Sequence, residues 1–335
     1  MVSTIYDVAH EARVSIATVS YVINNKNRVS PKTAERVREA MRRLNYQPKI
    51  AARALARGCT NTIALVAPLD IYGYQMSLIT VMNAIGHTLA TTDYRLFIHP
   101  TLNRPEAWME LEADVRGKQM DGVILMHVQM QDPRVDLLRR SKMPFVMIGR
   151  CADNTGLYYV DTDIEAVAHL AVDYLHSLGH RHIALLGERR EAGVSVRLVT
   201  GYRQGMEDCG LEIREEFIVH VAGTPAATSQ AALQLFSLPD RPTAVFATSD
   251  AAVLGVMNAT RILGLRIPQD VAVIGYAESP LYPFLEPPCS VAFEGVADLG
   301  RLAAEMLVSL LHGKEPEQTQ ILVPPRLIVR ASTEA

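Results

Sequence analysis

Residues 4–23 read TIYDVAHEARVSIATVSYVI. Ile5, Val8, Ala9 and Ala12 recur at helical spacing and fall on one face. Residues 13–15 interrupt the pattern. Residues 16–24 resume it, with Ala17, Val19, Val22 and Ile23 able to face inward and Thr18, Ser20 and Tyr21 polar. Ser15 is a natural N-cap for this second segment. Two short helices joined by a tight turn form the helix-turn-helix pattern. Ser30-Pro31 then supplies an N-cap followed by proline at the first helical position. A third helix runs to about Leu44, with Ala34, Val37, Met41 and Leu44 on one stripe.

Outward from this segment the charge is uneven. Residues 1–58 carry 11 Lys and Arg against 4 Asp and Glu, whereas the remainder carries 22 against 32. A basic end on an acidic body points to a polyanion as partner of that end. Residues 49–58, KIAARALARG, have strong helix-forming composition but are too short for a stable isolated helix.

Beyond residue 60, apolar strand-like runs alternate with helical segments. Strands are predicted at 63–67, 96–99, 122–126, 145–148, 182–186, 217–221, 244–247, 271–275, 291–293 and 321–323. Helices are predicted, for example, at 75–91, 104–118, 162–178, 197–209, 226–236, 250–264 and 295–312. This alternation predicts an α/β core with two parallel-sheet lobes. The fold class is therefore an all-α helix-turn-helix headpiece plus an α/β core.

Other classes find little support. The N-terminus lacks the basic and apolar regions of a signal peptide. No apolar run reaches the roughly 18 residues of a membrane span. Cys59, Cys151, Cys209 and Cys289 are scattered, with no C-x-x-C pair, and reduced thiols in a cytoplasm are expected. The motifs G-x-S-x-G, G-x-x-x-x-G-K-[ST] and H-E-x-x-H are absent, so neither enzyme nor cofactor is expected. His180-Arg181-His182 sits where a helix turns into a strand and reads as structural, with no metal. Trp108, the sole Trp, reads as packing or surface.

The detail of the N-terminal segment is sharper than the generic motif. Ile5-Tyr6-Asp7-Val8-Ala9, Val14-Ser15-x-Ala17-Thr18-Val19-Ser20, Asn24-Asn25, Val29-Ser30 and Leu44-Asn45-Tyr46-Gln47-Pro48 strongly resemble the headpiece of the LacI/GalR family. The likeness continues through Arg53-x-Leu55 and Thr60-Asn61-Thr62-Ile63 into the core. It implies a second helix in the DNA major groove, with Ile16, Ala17 and Tyr21 at base edges. Thr18, Ser20, Asn24, Arg28, Ser30 and Thr33 would meet the backbone, and Thr4 is a further candidate DNA contact. Ser15 is either a cap or a DNA contact. By the same resemblance Leu55 is the wedge that enters the minor groove, with Arg53 and Arg57 facing phosphates; a linker helix with Leu55 packed on the core is the alternative. Two departures stand out. Tyr21 replaces a frequent Arg, whose two-pronged contact to guanine Tyr cannot reproduce. Arg13 replaces a usual Gly, at a cost of about 1 kcal/mol if that position has positive φ.

For the core, the resemblance implies a periplasmic-binding-protein-like pair of lobes with crossovers near 160–162, 289–292 and 321–324. An effector would sit at the carboxyl ends of the strands. Candidate contacts are Tyr72, Tyr74, Gln75, Arg150, Asp161, Arg197, Ser249, Asp250, Tyr276 and Glu278. Asp250 serves equally well as a helix N-cap. Three positions depart from the family pattern together: Ser249 for Asn, Ala277 for Asp, and Arg197 four rather than three residues before Gly201. They put a monosaccharide in the standard pose in doubt and leave a larger or differently charged effector open.

The expected organisation is a headpiece (1–48), a hinge (49–60) and a core (61–335). Lobe one spans about 61–160 and 292–321, lobe two about 162–289 and 324–330. The expected function is a cytoplasmic repressor of carbohydrate-utilisation genes. It would bind double-stranded operator DNA as a homodimer, not a tetramer since no heptad tail follows, under a small sugar-like effector. Helix 75–91, with Leu78, Val81, Met82 and Ile85, is a candidate dimer face; plain core packing is the alternative. A non-sugar effector, a solute-binding protein and an enzyme fused to a DNA-binding domain are the other readings.

Overall fold

The computed structural model describes residues 3–23, 29–46, 59–69, 75–101, 107–187, 193–221, 223–293 and 295–334. The chain divides into two compact units, residues 1–62 with 118–121, and 63–117 with 122–335.

The first unit holds helices α1 (Ile5–Glu11), α2 (Ile16–Ile23) and α3 (Pro31–Arg43). Val8, Ala9, Ala12, Val19, Val22, Val37 and Ala40 are buried together, with Ala34, Met41 and Leu44 packed against them. Ala17, which the periodicity allowed inward, is exposed. The turn before α2 runs through Arg13 at φ 50°. This is the left-handed conformation that a glycine would adopt without strain.

The second unit contains two sheets. The first has strand order β11-β5-β4-β3-β1-β2, the second β10-β9-β8-β6-β7. The first comprises β1 (Thr62–Pro68), β2 (Arg95–Thr101), β3 (Gly122–Met126), β4 (Phe145–Ile148), β5 (Tyr159–Thr162) and β11 (Gln320–Val323). The second comprises β6 (Ile183–Gly187), β7 (Ile218–His220), β8 (Ala244–Ala247), β9 (Ala272–Ala277) and β10 (Ser290–Phe293). All neighbouring pairs of the second sheet are parallel. Central strands are buried on both faces, which is why they read as unbroken apolar runs. Residues 290–293, at the expected second crossover, form an edge strand of the second sheet. The chain passes between sheets after Thr162, Phe293 and Val323, then returns to Val291 through an isolated bridge at Ile328.

The helices are α4 (Gln75–Leu89), α5 (Ala107–Arg116), α6 (Pro133–Arg140), α7 (Ile164–Ser177), α8 (Gly193–Asp208), α9 (Pro225–Phe236), α10 (Asp250–Leu263) and α11 (Val296–Leu311). Two elements were not among those expected. Strand β5 carries a buried acid, Asp161, that breaks its apolar run. Helix α6 is short, although Asp132-Pro133 carries the same cap-and-proline signature as Ser30-Pro31. Helix α8 starts at Gly193, so Arg197 lies a turn inside it rather than opening it.

Glycines allow two close helix contacts. A Cβ on Gly300 of α11 would lie 2.6 Å from the Val81 carbonyl oxygen on α4. A Cβ on Gly201 of α8 would meet the Glu165 backbone on α7, 2.7 Å from its Cα. The α4–α11 contact assigns Val81 and Ile85, two of the four residues named for a dimer face, to the core of this chain. Val81 and Ile85 are fully buried within this chain, and Leu78 and Met82 pack on the same core, leaving Ile79 as the exposed apolar residue of α4. Trp108 is 38% exposed on α5, a surface position.

Candidate nucleic-acid interface and effector cleft

In the headpiece, short hydroxyl side chains fix where the helices begin. Thr4 forms a capping box on α1: its Oγ1 accepts from the Asp7 amide at 3.4 Å while Asp7 Oδ2 accepts from the Thr4 amide at 2.7 Å. Those bonds hold the Asp7 carboxyl below its ordinary value. Ser15 Oγ accepts from the Thr18 amide at 3.2 Å, and Ser30 Oγ from the Thr33 amide at 3.3 Å. In each case the two hydroxyls also lie 2.9 Å apart. The cap role of Ser15 is thus present, and both hydroxyl pairs stand at exposed helix N-termini, where backbone amides attract phosphate oxygens. Ile16 is 41% exposed beside exposed Ala17, an apolar pair at the start of α2 with no core to join. Ser20 and Tyr21 are half-buried on the same helix. On α3, Arg42 pairs with Glu35 at 2.9 Å and Arg43 with Glu39 at 2.7 Å, so two of this helix's five positive charges are balanced internally. Asn24, Arg28, Arg53, Leu55 and Arg57 lie outside the described residues.

In the core, a cavity of about 100 Å³ opens between the sheets at the carboxyl ends of the strands. Its apolar wall includes Val81, Val128, Ile148, Ile164, Phe293 and Leu299, and its polar groups include Arg150, Asp161, Thr162, Arg197 and Tyr276. Arg150 follows β4 and donates through Nε to Asp161 Oδ2 at 2.8 Å. Asp161 Oδ1 accepts from the Thr162 amide at 2.8 Å. Burial pushes the Asp161 carboxyl up, with Arg150 pulling against it. Burial also disfavours the Arg150 charge, but Asp161 and Glu165 outweigh it and hold the guanidinium firmly protonated. Tyr276 stacks on Phe293 with centroids 6.3 Å apart, and burial holds its phenol protonated well beyond the ordinary tyrosine range.

Glu165, the second residue of α7, is a member of this site that sequence reasoning missed. Its Oε2 accepts from Arg150 at 3.2 Å and its Oε1 from Arg197 at 3.3 Å. Arg197 also donates to the Cys151 carbonyl at 3.4 Å. Arg150 and Cys151 follow β4 of the first sheet, whereas α7 and α8 pack together on the second lobe. One ion network therefore spans the cleft. The lobes also approach at Gly193, where a Cβ would lie 3.3 Å from the Val128 carbonyl oxygen.

Comparison with known proteins agrees with both halves. The description "Bacterial regulatory proteins, lacI family" matches residues 4–49, and "Periplasmic binding protein-like domain" matches residues 172–333. The HTH-type transcriptional repressor CytR of Escherichia coli (strain K12) is 30% identical over 333 residues, covering 99% of this chain and 97% of that protein. The chain belongs to the LacI family. Among solved structures, this LacI-family regulator resembles a complex of the transcriptional regulator CelR with cellobiose, at 29% identity and TM-score 0.75, covering 98% and 99% of the two chains. It also resembles the Lac repressor dimer bound to operator and the anti-inducer ONPF, at 25% identity and TM-score 0.88 over the full length of both chains.

The remaining cleft candidates of this LacI-family regulator divide. Arg150, Asp161, Arg197 and Tyr276 converge on the cavity. Gln75 lines a neighbouring recess with Pro68, Leu78 and His127. Ser249 is buried and caps α10, accepting from the Ala252 amide at 3.2 Å. Asp250 lies at the start of α10 beside Ser279 and Tyr282, whose hydrogen bonds partly offset the burial that raises its carboxyl. Glu278 is drawn away by Arg330, with contacts of 2.9 and 3.2 Å, while Ala277 faces the cavity in its place. Ser249, Asp250 and Glu278 are therefore not brought to the cavity with the others. Tyr72 and Tyr74 lie outside the described residues. Among the described residues no helix is long and apolar enough to cross a membrane, and no cluster of His, Cys, Asp and Glu is arranged for a metal ion.

Proposed function

We propose that the chain represses carbohydrate-utilisation genes by binding a pseudo-palindromic operator as a homodimer, with affinity set by a small effector in the cleft. The observation that carries this reading is the ion network across the cleft, in which residues of both lobes share one carboxylate. A ligand that exchanges contacts there has differential affinity for two lobe arrangements, the requirement for any effector. The apolar start of α2, Ile16-Ala17 with Tyr21 one turn on, supports base reading, and the hydroxyls of Thr18, Ser20, Ser30 and Thr33 support backbone contacts. The cellobiose complex of the similar CelR supports a carbohydrate as effector class. The absence of a carboxylate at Ala277 supports the second reading, a metabolite other than a simple neutral sugar.

The test is selection of bound fragments from a genomic library by the full chain, followed by binding titrations at rising salt. A two-fold symmetric motif whose affinity falls steeply with salt is expected. No enriched motif, or binding indifferent to salt, would refute the reading.

A further inference from the structure

The proposal concerns the chemistry of the effector and rests on the cleft being its site. Arg150 and Arg197 approach from opposite lobes, their side chains each only 14% exposed. Arg150 has one strong partner, Asp161 at 2.8 Å, buried at the end of β5. The partner common to both arginines, Glu165, is different in kind. Its contacts measure 3.2 and 3.3 Å, beyond the 2.7–2.9 Å of a well-formed charge-assisted bond. Its side chain is 36% exposed, so it can turn to solvent without leaving a buried charge. It stands in the first turn of α7, where the helix N-terminus stabilises a carboxylate whichever way it points. Two partly desolvated guanidiniums thus share one loosely held anion, an arrangement suited to exchange.

The opposite wall agrees. The residue after Tyr276 is Ala277, so no carboxylate enters there, and Glu278 is neutralised by Arg330 instead. Among the described residues of the lining Asp161 is the one carboxylate, already bonded to Arg150 and the Thr162 amide, and Glu165 reaches the site through the two arginines from outside that lining. Little remains to repel an incoming anion.

We propose that the effector carries a carboxylate or phosphate that displaces Glu165 and is received jointly by Arg150 and Arg197, with its less polar body against Ile148, Ile164, Tyr276 and Phe293. Planar guanidinium forks match the two or three oxygens of such a group. Because the arginines belong to different lobes, the anion also takes over the bridge that Glu165 makes, and so couples binding to lobe position.

The test uses the full chain and matched probes: D-glucose with D-glucuronate and D-glucose 6-phosphate, D-galactose with D-galacturonate, and inorganic phosphate as an anion without a sugar. Binding is read by calorimetry and thermal shift, with the circular dichroism spectrum and the cooperative melting transition of each unliganded variant as the controls for folding. At least one acid or phosphate ester should bind about tenfold or more tighter than its neutral partner, the scale of one charge-assisted contact. Which of the two binds distinguishes a carboxylate from a phosphate effector. Glu165→Gln should bind inorganic phosphate more tightly than the wild type. Arg197→Gln, and more mildly Arg197→Lys, should weaken the anion and spare the neutral sugar. Neutral probes binding as well as their acids, or Glu165→Gln gaining nothing for phosphate, would overturn the proposal. If neutral sugars bind and Ala277→Phe, which fills the cavity, abolishes that binding, the cleft remains the effector site and only the anion falls. If acids bind but neither Ala277→Phe nor Arg197→Gln weakens them, the cleft reading itself fails.

Discussion

Gly201 is the position where one added methyl should be felt both in stability and at the cleft. In Gly201→Ala the new Cβ would be driven into the Glu165 carbonyl oxygen and would stand 2.7 and 2.8 Å from the Glu165 Cα and carbonyl carbon. Carbon atoms in contact prefer about 3.5–4.0 Å, so α7 and α8 must separate by roughly 1 Å. The obstacle is backbone, not the tip of a flexible side chain, so it cannot swing aside. Overpacking of this kind costs about 1–3 kcal/mol. At about 2 °C per kcal/mol for a unit of this size, the core should melt about 2–6 °C lower. Because the displaced backbone carries Glu165, the bridge from Arg150 to Arg197 should loosen too, changing effector affinity more than a distant destabilising change does. The assay is thermal unfolding with and without effector. Gly86→Ala serves as the control, since that glycine lies within α4 with nothing within 4 Å of its added Cβ. It should gain about 0.5–1 kcal/mol from helix propensity. A Gly201→Ala protein that melts at or above the wild-type temperature would refute the reasoning, since it would mean the helices are not held at this distance.

Three further outcomes are expected. Leu55→Ala should weaken operator binding more than non-specific binding, measured by competition titration; equal losses on both would sink the wedge role. Tyr21→Arg should move half-site preference toward guanine by about 1–3 kcal/mol in a randomised half-site competition, and an unchanged preference would place this residue away from the base edges. Asp270 is held at about 2 by side-chain and backbone hydrogen bonds from Arg266. A carboxyl depressed in the folded state contributes stability above its ordinary value of about 4 and loses it as pH falls toward the folded value. Asp270→Asn should therefore flatten the fall in melting temperature between about pH 4 and pH 2, and an unaltered profile would remove this pair from the acid response.

Parts of the architecture were legible because their signals are local. Ile63–Ala67, Val123–Leu125 and Ala244–Ala247 are unbroken apolar runs, as strands covered on both faces must be. Ser15 and Ser30 precede helices whose first amides need an acceptor, and each supplies one. Strand β5 was not legible, because the charge of Asp161 in a sheet is balanced by Arg150, eleven residues earlier in the chain. The apolar stripe on α4 could have faced a second copy or the core; the packing of α11 against α4, with Gly300 permitting the approach, assigned Val81 and Ile85 to the core.

The cleft shows the same division most clearly. Residue types alone nominated Arg150, Asp161, Arg197 and Tyr276, since charged and aromatic residues just after buried strands have few structural uses. They also nominated Glu278 and Ser249, which the fold employs elsewhere, one bound to Arg330 across 52 positions of sequence and the other capping α10. They passed over Glu165, since an acid in a first helical turn already has a local explanation in the helix dipole. By itself the sequence determined the headpiece, the alternation of strands and helices, and the family, because caps, periodicities and short motifs are set by neighbouring residues. Only the tertiary structure decided which charges face one another. Ion pairs join side chains distant in sequence, and their partners are chosen by how the two sheets and their helices are packed.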